Sequence, residues 1–221
     1  MPSMQISLLG EVLELLPQRA AYWPAQRILL VADIHFGKAA AFRSKGLAVP
    51  RGTTNQNLQA LEQLMAVRDI EHILFLGDFL HAKAAHFPAT MAVLHEWRER
   101  FPGLRLTLVR GNHDLHAGDP PNDLAIELVN EPYRIGPFAF CHHPDLAGIA
   151  THTYVSAGHV HPVYWLAGRA DNVRLPCFLF NESRGILPSF GAFTGGYLIS
   201  PSLDERIFLT AEDAVFEVPR R

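Results

Sequence analysis

The sequence predicts an α/β fold, and three observations carry that expectation. Nearly continuous apolar runs alternate with segments of helical period through the first half of the chain, which is the pattern of parallel strands joined by crossover helices. Those runs lack the in-out alternation of a half-exposed strand, so each reads as a strand covered on both faces. After Val129 the chain changes character, with short strand-like runs and little helical periodicity, which suggests a second, partly antiparallel sheet packed on the first.

In chain order, Gln5 to about Tyr22 alternates loosely, with Gly10 and Pro17 as punctuation, and reads as a pair of short strands. Arg27 to Ala32 is the first buried strand, followed by Asp33 and His35. Phe36 to Leu61 contains Lys38, Arg43, Lys45 and Arg51 and no Asp or Glu, with Gly37, Gly46, Pro50 and Gly52 marking it as loop-rich. A basic loop leaving a polar strand end suits the phosphates of a substrate backbone, and a solvated surface loop is the equal alternative. Thr53 or Thr54 is placed to cap a helix whose apolar face is Leu58, Leu61, Leu64 and Met65, ending near Arg68-Asp69.

Ile73 to Leu76 is the next strand, and Pro88 to Phe101 a second amphipathic helix with Met91, Leu94, Trp97 and Phe101 on one face. Leu104 to Arg110 is a third strand. Beyond the stretch Asp123 to Val129, the strand candidates are Arg134 to Cys141, Thr153 to Ala157, Val163 to Leu166, Val173 to Phe180 and Gly196 to Ile199. A single domain spanning 1–221 is expected, since the chain shows no linker, repeat or low-complexity segment and 48% of its residues are hydrophobic.

Charge and cysteine content exclude several classes. A formal net charge of -3 gives no global basic field, so any contact with nucleic acid is local. The two cysteines, Cys141 and Cys177, form no CxxC pair and no disulfide framework. The N-terminal stretch lacks the features of a secretory signal, and no apolar run approaches the roughly 18 residues of a membrane span. A cytoplasmic protein without a membrane partner is expected.

Histidine is the anomaly, with 12 residues. His72, His86, His95, His116 and His152 fit no pattern, but others recur at strand ends. The first strand runs into Asp33-Ile34-His35, the second into Gly77-Asp78-Phe79-Leu80-His81 and the third into Gly111-Asn112-His113-Asp114. Phe138 to Cys141 runs into His142-His143-Pro144, and Tyr154 to Ala157 into Gly158-His159-Val160-His161. In open α/β sheets the C-terminal strand ends form the binding crevice.

The collected groups are nitrogen and oxygen donors without thiolate: Asp33, His35, Asp78, Asn112, His142, His159 and His161. That set suits Mn²⁺, with Fe, Zn²⁺ or Ni²⁺ as alternatives. It is too large for one tetrahedral ion. Two divalent ions about 3.5–4 Å apart, sharing a bridging carboxylate, would use it as a clamp for displacement at phosphorus. Asp78, alone on its strand end, is the expected bridge. A thiol nucleophile at Cys141 is disfavoured, because adjacent strand residues point to opposite faces and would separate it from His142. Phe190 and Phe193 read as core residues at a glycine-rich turn rather than as base-stacking platforms.

These motifs, in this order, resemble the calcineurin-like metallophosphoesterase superfamily. Further segments resemble its bacterial ligase-associated, DNA-damage-response branch, the PdeM-type phosphodiesterases: Ala32 to Lys38, Phe42-Arg43, Val49 to Thr54, Cys141 to Pro144 and Phe190 to Gly196. The resemblance implies a metallophosphoesterase-like αββα sandwich, in four layers, of two mixed sheets flanked by helices. It implies that Asp33, His35 and His161 hold one ion, Asn112, His142 and His159 the other, and that Asp78 bridges. His142 is preferred to His143 because it directly follows Cys141, which leaves His143 beside the ligands.

The implied activity is a phosphodiesterase, as a DNA nuclease in DNA repair, with a metal-bound hydroxide attacking phosphorus. His113 would contact the phosphoryl oxygen or protonate the leaving group, oriented by Asp114 as a carboxylate–imidazole dyad. Lys38, Arg43, Arg51, His81 and His143 are candidate substrate contacts. An ATP-dependent DNA ligase and a DEXH helicase are the partners the resemblance suggests. The alternatives are a phosphoesterase acting on a small nucleotide or phosphomonoester, and a non-catalytic scaffold that keeps the fold.

Overall fold

The structure is a computed structural model that describes residues 3–145, 153–167 and 172–219, so His152 lies outside the described residues. The first sheet begins with the antiparallel strands β1 (Met4–Leu8), β2 (Glu11–Leu15) and β3 (Ala21–Trp23). It continues through β4 (Ile28–Ala32), β5 (His72–Leu76), β6 (Arg105–Val109) and β7 (Ile126–Val129), which run parallel in chain order. β4 and β5 are buried at every position, which is why their sequences read as continuous apolar runs.

Among the described residues four α-helices occur: α1 (Lys38–Ser44), α2 (Thr53–Val67), α3 (Pro88–Arg100) and α4 (Asn112–Ala117). Leu58, Leu61 and Leu64 of α2 and Leu94 and Trp97 of α3 pack with Leu29, Val31, Ile73, Phe75, Leu106 and Leu108 of the first sheet. The three-and-four spacing of those side chains put them on one face, as expected.

The second sheet is assembled from β8 (Tyr133–Ile135), β9 (Phe138–Cys141), β10 (Tyr154–Ala157), β11 (Pro162–Ala167), β12 (Asn172–Phe180), β13 (Arg184–Ile186), β14 (Tyr197–Leu198), β15 (Arg206–Thr210) and β16 (Val215–Glu217). Within it β9, β10 and β13 are parallel neighbours, while β12 pairs antiparallel with β11, β13 and β15. Phe138, Phe140, Phe178, Phe180 and Phe208 meet Leu30, Ala32, Leu74, Leu76 and Val109 between the two sheets. On the opposite face of the second sheet lies a smaller cluster of Cys177, Leu179, Ile186, Ile199, Ile207 and Leu209. The two mixed sheets with helical cover are as expected. The helices described all precede β7, and a helical layer beyond the second sheet has no counterpart among the described residues.

Several local expectations needed revision. The basic stretch after His35 is not a continuous loop, because α1 occupies its start and buries Ala39 and Ala41. α2 begins at Thr53 behind Gly52, which has φ 79° and provides no side-chain cap, so neither threonine caps the helix. Arg134 to Cys141 divides at Gly136, with φ 55°, into the antiparallel pair β8 and β9. No helix among the described residues is long and apolar enough to cross a membrane.

Candidate metal centre

The parallel strands β4, β5 and β6 of one sheet, and β9 and β10 of the other, end on the same side. Asp33 and His35 follow β4, Asp78 and His81 follow β5, Asn112 and His113 follow β6, His142 and His143 follow β9, and His159 and His161 follow β10. Asp33, His35, Asp78, His159 and His161 all adopt positive φ, between 49° and 68°. In a residue with a β-carbon such a conformation costs about 1–3 kcal/mol, and it concentrates at functional sites where neighbours enforce it. The turn allows side chains two residues apart to face one point.

Three glycines make the close approach possible. A β-carbon at Gly77 would lie 2.0 Å from His142 Nδ1, one at Gly111 2.5 Å from Asp78 Oδ1, and one at Gly158 2.5 Å from Asp33 Oδ2. Each glycine precedes or faces a donor and leaves room only for it.

Asp33, His35, Asp78 and His161 bring one ligand atom each within 4.8 Å of one another. His35 Nε2 is 3.7 Å from Asp78 Oδ2, and His161 Nε2 is 3.5 Å from Asp33 Oδ1. Asp33 Oδ1, both ring nitrogens of His35 and His161 Nε2 are buried without a hydrogen-bond partner. Buried polar atoms are normally satisfied, so an orphaned set of donors turned toward one another fits a cation.

A second group stands on the other side of Asp78. His142 Nδ1 faces the carbonyl of Leu76 at 3.3 Å, and its Nε2 lies 2.7 Å from Asn112 Oδ1 and 3.0 Å from His159 Nδ1. An imidazole anchored through one nitrogen presents the other in the tautomer a metal needs. Nε2 of His142, Oδ1 of Asn112 and Nδ1 of His159 thus converge on one point. Asp78 Oδ1 is 3.5 Å from His142 Nε2 while its Oδ2 faces His35, so one carboxylate addresses both groups.

Between the two candidates of the His142-His143 pair, the geometry separates the roles. His142 is fully buried, with its ring against Asp78 and Asn112. His143 lies within the same donor cluster as His142 and His159, but its Nδ1 is engaged by Glu131 Oε1 at 2.7 Å. Glu131 Oε2 also accepts the backbone N–H groups of His142 and His143, at 2.8 and 2.9 Å. Burial raises the Glu131 carboxyl, yet these hydrogen bonds outweigh it and leave the group below its ordinary range. Sequence reasoning missed Glu131, because nothing in its local pattern signals contacts across 11 residues to a strand end.

The electrostatics follow burial. Desolvation holds His35 well below the ordinary imidazole value, with Lys38 adding to the effect, and it lowers His142 and His159 too. These rings are held neutral, the form that ligates metal. Asp78 is raised, first by desolvation and then by the charge of Asp33, a repulsion that a cation between them relieves.

His113 projects beside this centre. Its Nδ1 donates to the carbonyl of His81 at 2.9 Å, and its Nε2 faces Asp78 Oδ2 at 3.9 Å. The expected pairing of Asp114 with the His113 ring is not made. Asp114 lies in the first turn of α4 and its oxygens accept the N–H groups of Gly111, Phe79 and Leu80 at 2.9, 2.9 and 3.2 Å. Burial pushes its pKa up to about 6 against those bonds. Asp114 thus joins the β5 and β6 loops, and the His81 carbonyl orients His113 in its place.

His81 stacks between His113, at 4.9 Å between centroids, and Phe42, at 5.7 Å. Desolvation lowers it to about 4, with Lys38 contributing. Lys38 is half-buried, and its ammonium is lowered by desolvation while Asp78 and Asp33 act in the other direction, so it stands within the field of the centre. Arg43 Nη1 donates to the carbonyl of Pro50 at 2.6 Å and closes its own loop. Arg51 lies exposed on the approach to α2. Cys141 is buried and its thiol is pushed up to about 12 by burial, as a packing residue. Phe190 is buried in the core, and Phe193 meets Phe42 edge-on at 5.9 Å.

Comparison with known proteins agrees with this geometry. The sequence model of the calcineurin-like phosphoesterase family matches residues 26–189. Among solved structures, the nuclease MPE of Pseudomonas putida is 44% identical, with 98% of this chain and 100% of that chain covered and a TM-score of 0.85. A protein of unknown function from Aquifex aeolicus, AQ665, is 19% identical over 61% of this chain and 78% of that chain, with a TM-score of 0.39, too low to bear on fold or function. No curated protein matches.

Proposed function

Because the chain belongs to the calcineurin-like phosphoesterase family, whose members are metal-dependent phosphoric ester hydrolases, we propose that it is a dinuclear phosphodiesterase that cleaves DNA. The observation that carries this reading is Asp78 between two sets of nitrogen and oxygen donors, in a chain 44% identical over nearly its full length to a nuclease. Asp33, His35 and His161 would hold one ion, Asn112, His142 and His159 the other, with Asp78 shared; Mn²⁺ is the expected metal. When bound, the ions supply an acidified water near neutral pH and offset charge on the phosphoryl oxygens.

The chain's own residues supply the rest. His113, fixed by the His81 carbonyl, turns Nε2 to the pocket and serves as hydrogen-bond donor to a phosphoryl oxygen or as proton donor to the departing alkoxide. Lys38 adds a cation beside the carboxylates, placed for a non-bridging phosphate oxygen. The neutral ring of His81 stacks against His113 and backs it. A role in DNA repair, within the cytoplasm and beside an ATP-dependent ligase and a DEXH helicase, is the biological setting of this proposal.

The test is a Mn²⁺-supplemented assay with a bis-aryl phosphodiester, an aryl phosphomonoester and end-labelled DNA, with Asp78→Asn as control. Diester and DNA cleavage that disappear in the control support the reading. Turnover of the monoester alone would overturn it.

A further inference from the structure

Next to His161 lies a pocket of about 200 Å³ lined by Arg19, His161, Arg174, Ser189 and Thr194. We infer that this pocket is a subsite for a phosphate of the substrate chain neighbouring the scissile one, held by the guanidinium groups of Arg19 and Arg174. The inference rests on the phosphodiesterase reading and adds to it where the substrate strand runs.

Four observations carry it. Arg19 sits in a turn after β2 with φ 65°, a strained conformation for a side-chain-bearing residue. Its guanidinium is desolvated and has no carboxylate partner among the described residues, and burial alone lowers its pKa. A partly desolvated charge without a counter-ion is costly, so a half-buried guanidinium lining a pocket points to an anionic ligand. Across the pocket, Arg174 gives one N–H to the carbonyl of Gly196 at 2.7 Å, which holds the side chain and leaves its other donors available.

The third observation is the hydroxyl of Thr194, which is buried without a hydrogen-bond partner and lines the same pocket. The fourth is continuity. His161 belongs both to the pocket and to the donor cluster of the metal centre, while Arg19 and Pro176 continue the pocket into a trough of about 420 Å³ bounded by Asn57, Phe190 and Ala192. Two arginines and a hydroxyl next to a phosphoryl-processing centre match the fork geometry of phosphate oxygens. The anion is a backbone phosphate of the same strand, because a lone small ester would have nothing to place in the trough beyond Arg19.

The experiment pairs protein variants with a neutralised substrate. A short DNA strand with a defined cleavage position is made with a methylphosphonate at the linkage on either side of that position, and kcat/KM is measured for wild type, Arg19→Gln and Arg174→Gln. In the wild type one of the two substitutions should lower kcat/KM by about tenfold to a hundredfold, the scale of a lost charge-assisted contact. Arg19→Gln should show a similar loss on the ordinary strand and no further loss on that methylphosphonate strand, and Arg174→Gln the same pattern at smaller amplitude.

Anisotropy titration of the metal-free proteins gives a readout separate from turnover. There the slope of log Kd against log salt should fall by about 0.7 in Arg19→Gln. Additive losses from variant and methylphosphonate, or an unchanged salt slope, would overturn the subsite while DNA cleavage by the wild type still supports the nuclease reading. A wild type that turns over the bis-aryl diester but neither binds nor cleaves the strand would overturn both.

Discussion

The backbone N–H of His159 donates to Asp33 Oδ2 at 2.9 Å, a bond between the loops after β10 and β4 that joins the two sheets at the centre. It consumes one oxygen of Asp33 and leaves Oδ1 buried, unpartnered and 3.5 Å from His161 Nε2. Asp33→Asn keeps an oxygen for the amide of His159 but removes the charge. The variant is expected to fold and to lose at least about 10–100-fold in Mn²⁺ affinity, the loss typical of outer-shell changes alone. Isothermal titration checks it, and unchanged affinity would exclude Asp33 as a ligand.

His113→Ala should lower kcat by about 10²–10⁴ with metal content unchanged, because its ring is held by the His81 carbonyl and contributes no atom to either donor cluster. Elemental analysis beside the kinetics separates the two effects. Loss of metal would make His113 a ligand instead.

Gly77→Ala places a methyl 2.0 Å from His142 Nδ1 at a φ of 78°. The ring must move off the Leu76 carbonyl, so stability should fall by about 1–3 kcal/mol and binding of the second ion should weaken. Urea unfolding with and without Mn²⁺ measures both, and a variant indistinguishable from wild type would mean that the His142 ring does not need its present position.

Asp114→Ala should be strongly destabilising. Three N–H groups, of Gly111, Phe79 and Leu80, lose their acceptor, at about 1–3 kcal/mol for each that stays buried and unpaired. A dyad partner of His113 would instead alter the pH–rate profile at constant melting temperature, and that result would restore the pairing expected from sequence.

His72 predicts a pH effect away from the centre. It is buried on β5, bonds Thr107 Oγ1 at 2.9 Å, and burial lowers its pKa from 6.5 to about 4. Between those values the unfolded chain binds a proton that the folded chain does not, so stability falls as pH drops from about 6.5 and levels off below about 4. The contribution is about 3 kcal/mol over that window. In His72→Gln the fall between pH 7 and pH 4 should be smaller by that order, measured by urea unfolding at fixed metal, and an equal slope would refute it.

The sequence alone was enough to place the two sheets, the helices over the first of them and the strand ends that carry the donors. The apolar runs of β4, β5 and β6 announce strands buried on both faces, and the residues after them are polar types that a core does not otherwise collect. Where side chains are long-range partners, the sequence was silent. α1 was hidden because Lys38 to Ser44 is too short to display a period, and the strands β13 and β16, of three residues each, are too short to stand out from turns.

What the sequence by itself determined is therefore which donor types exist and at which strand ends they stand, since strand period and buried runs are local properties of the chain. Only the tertiary structure decided that His142 turns to Asp78 while His143 turns to Glu131, that Asp114 bonds three amides instead of His113, and that Arg19 and His161 line one pocket. Those outcomes depend on which acceptor lies across the gap once two sheets have packed. The distance from Asp33 to His159 is 126 residues along the chain and one hydrogen bond in space.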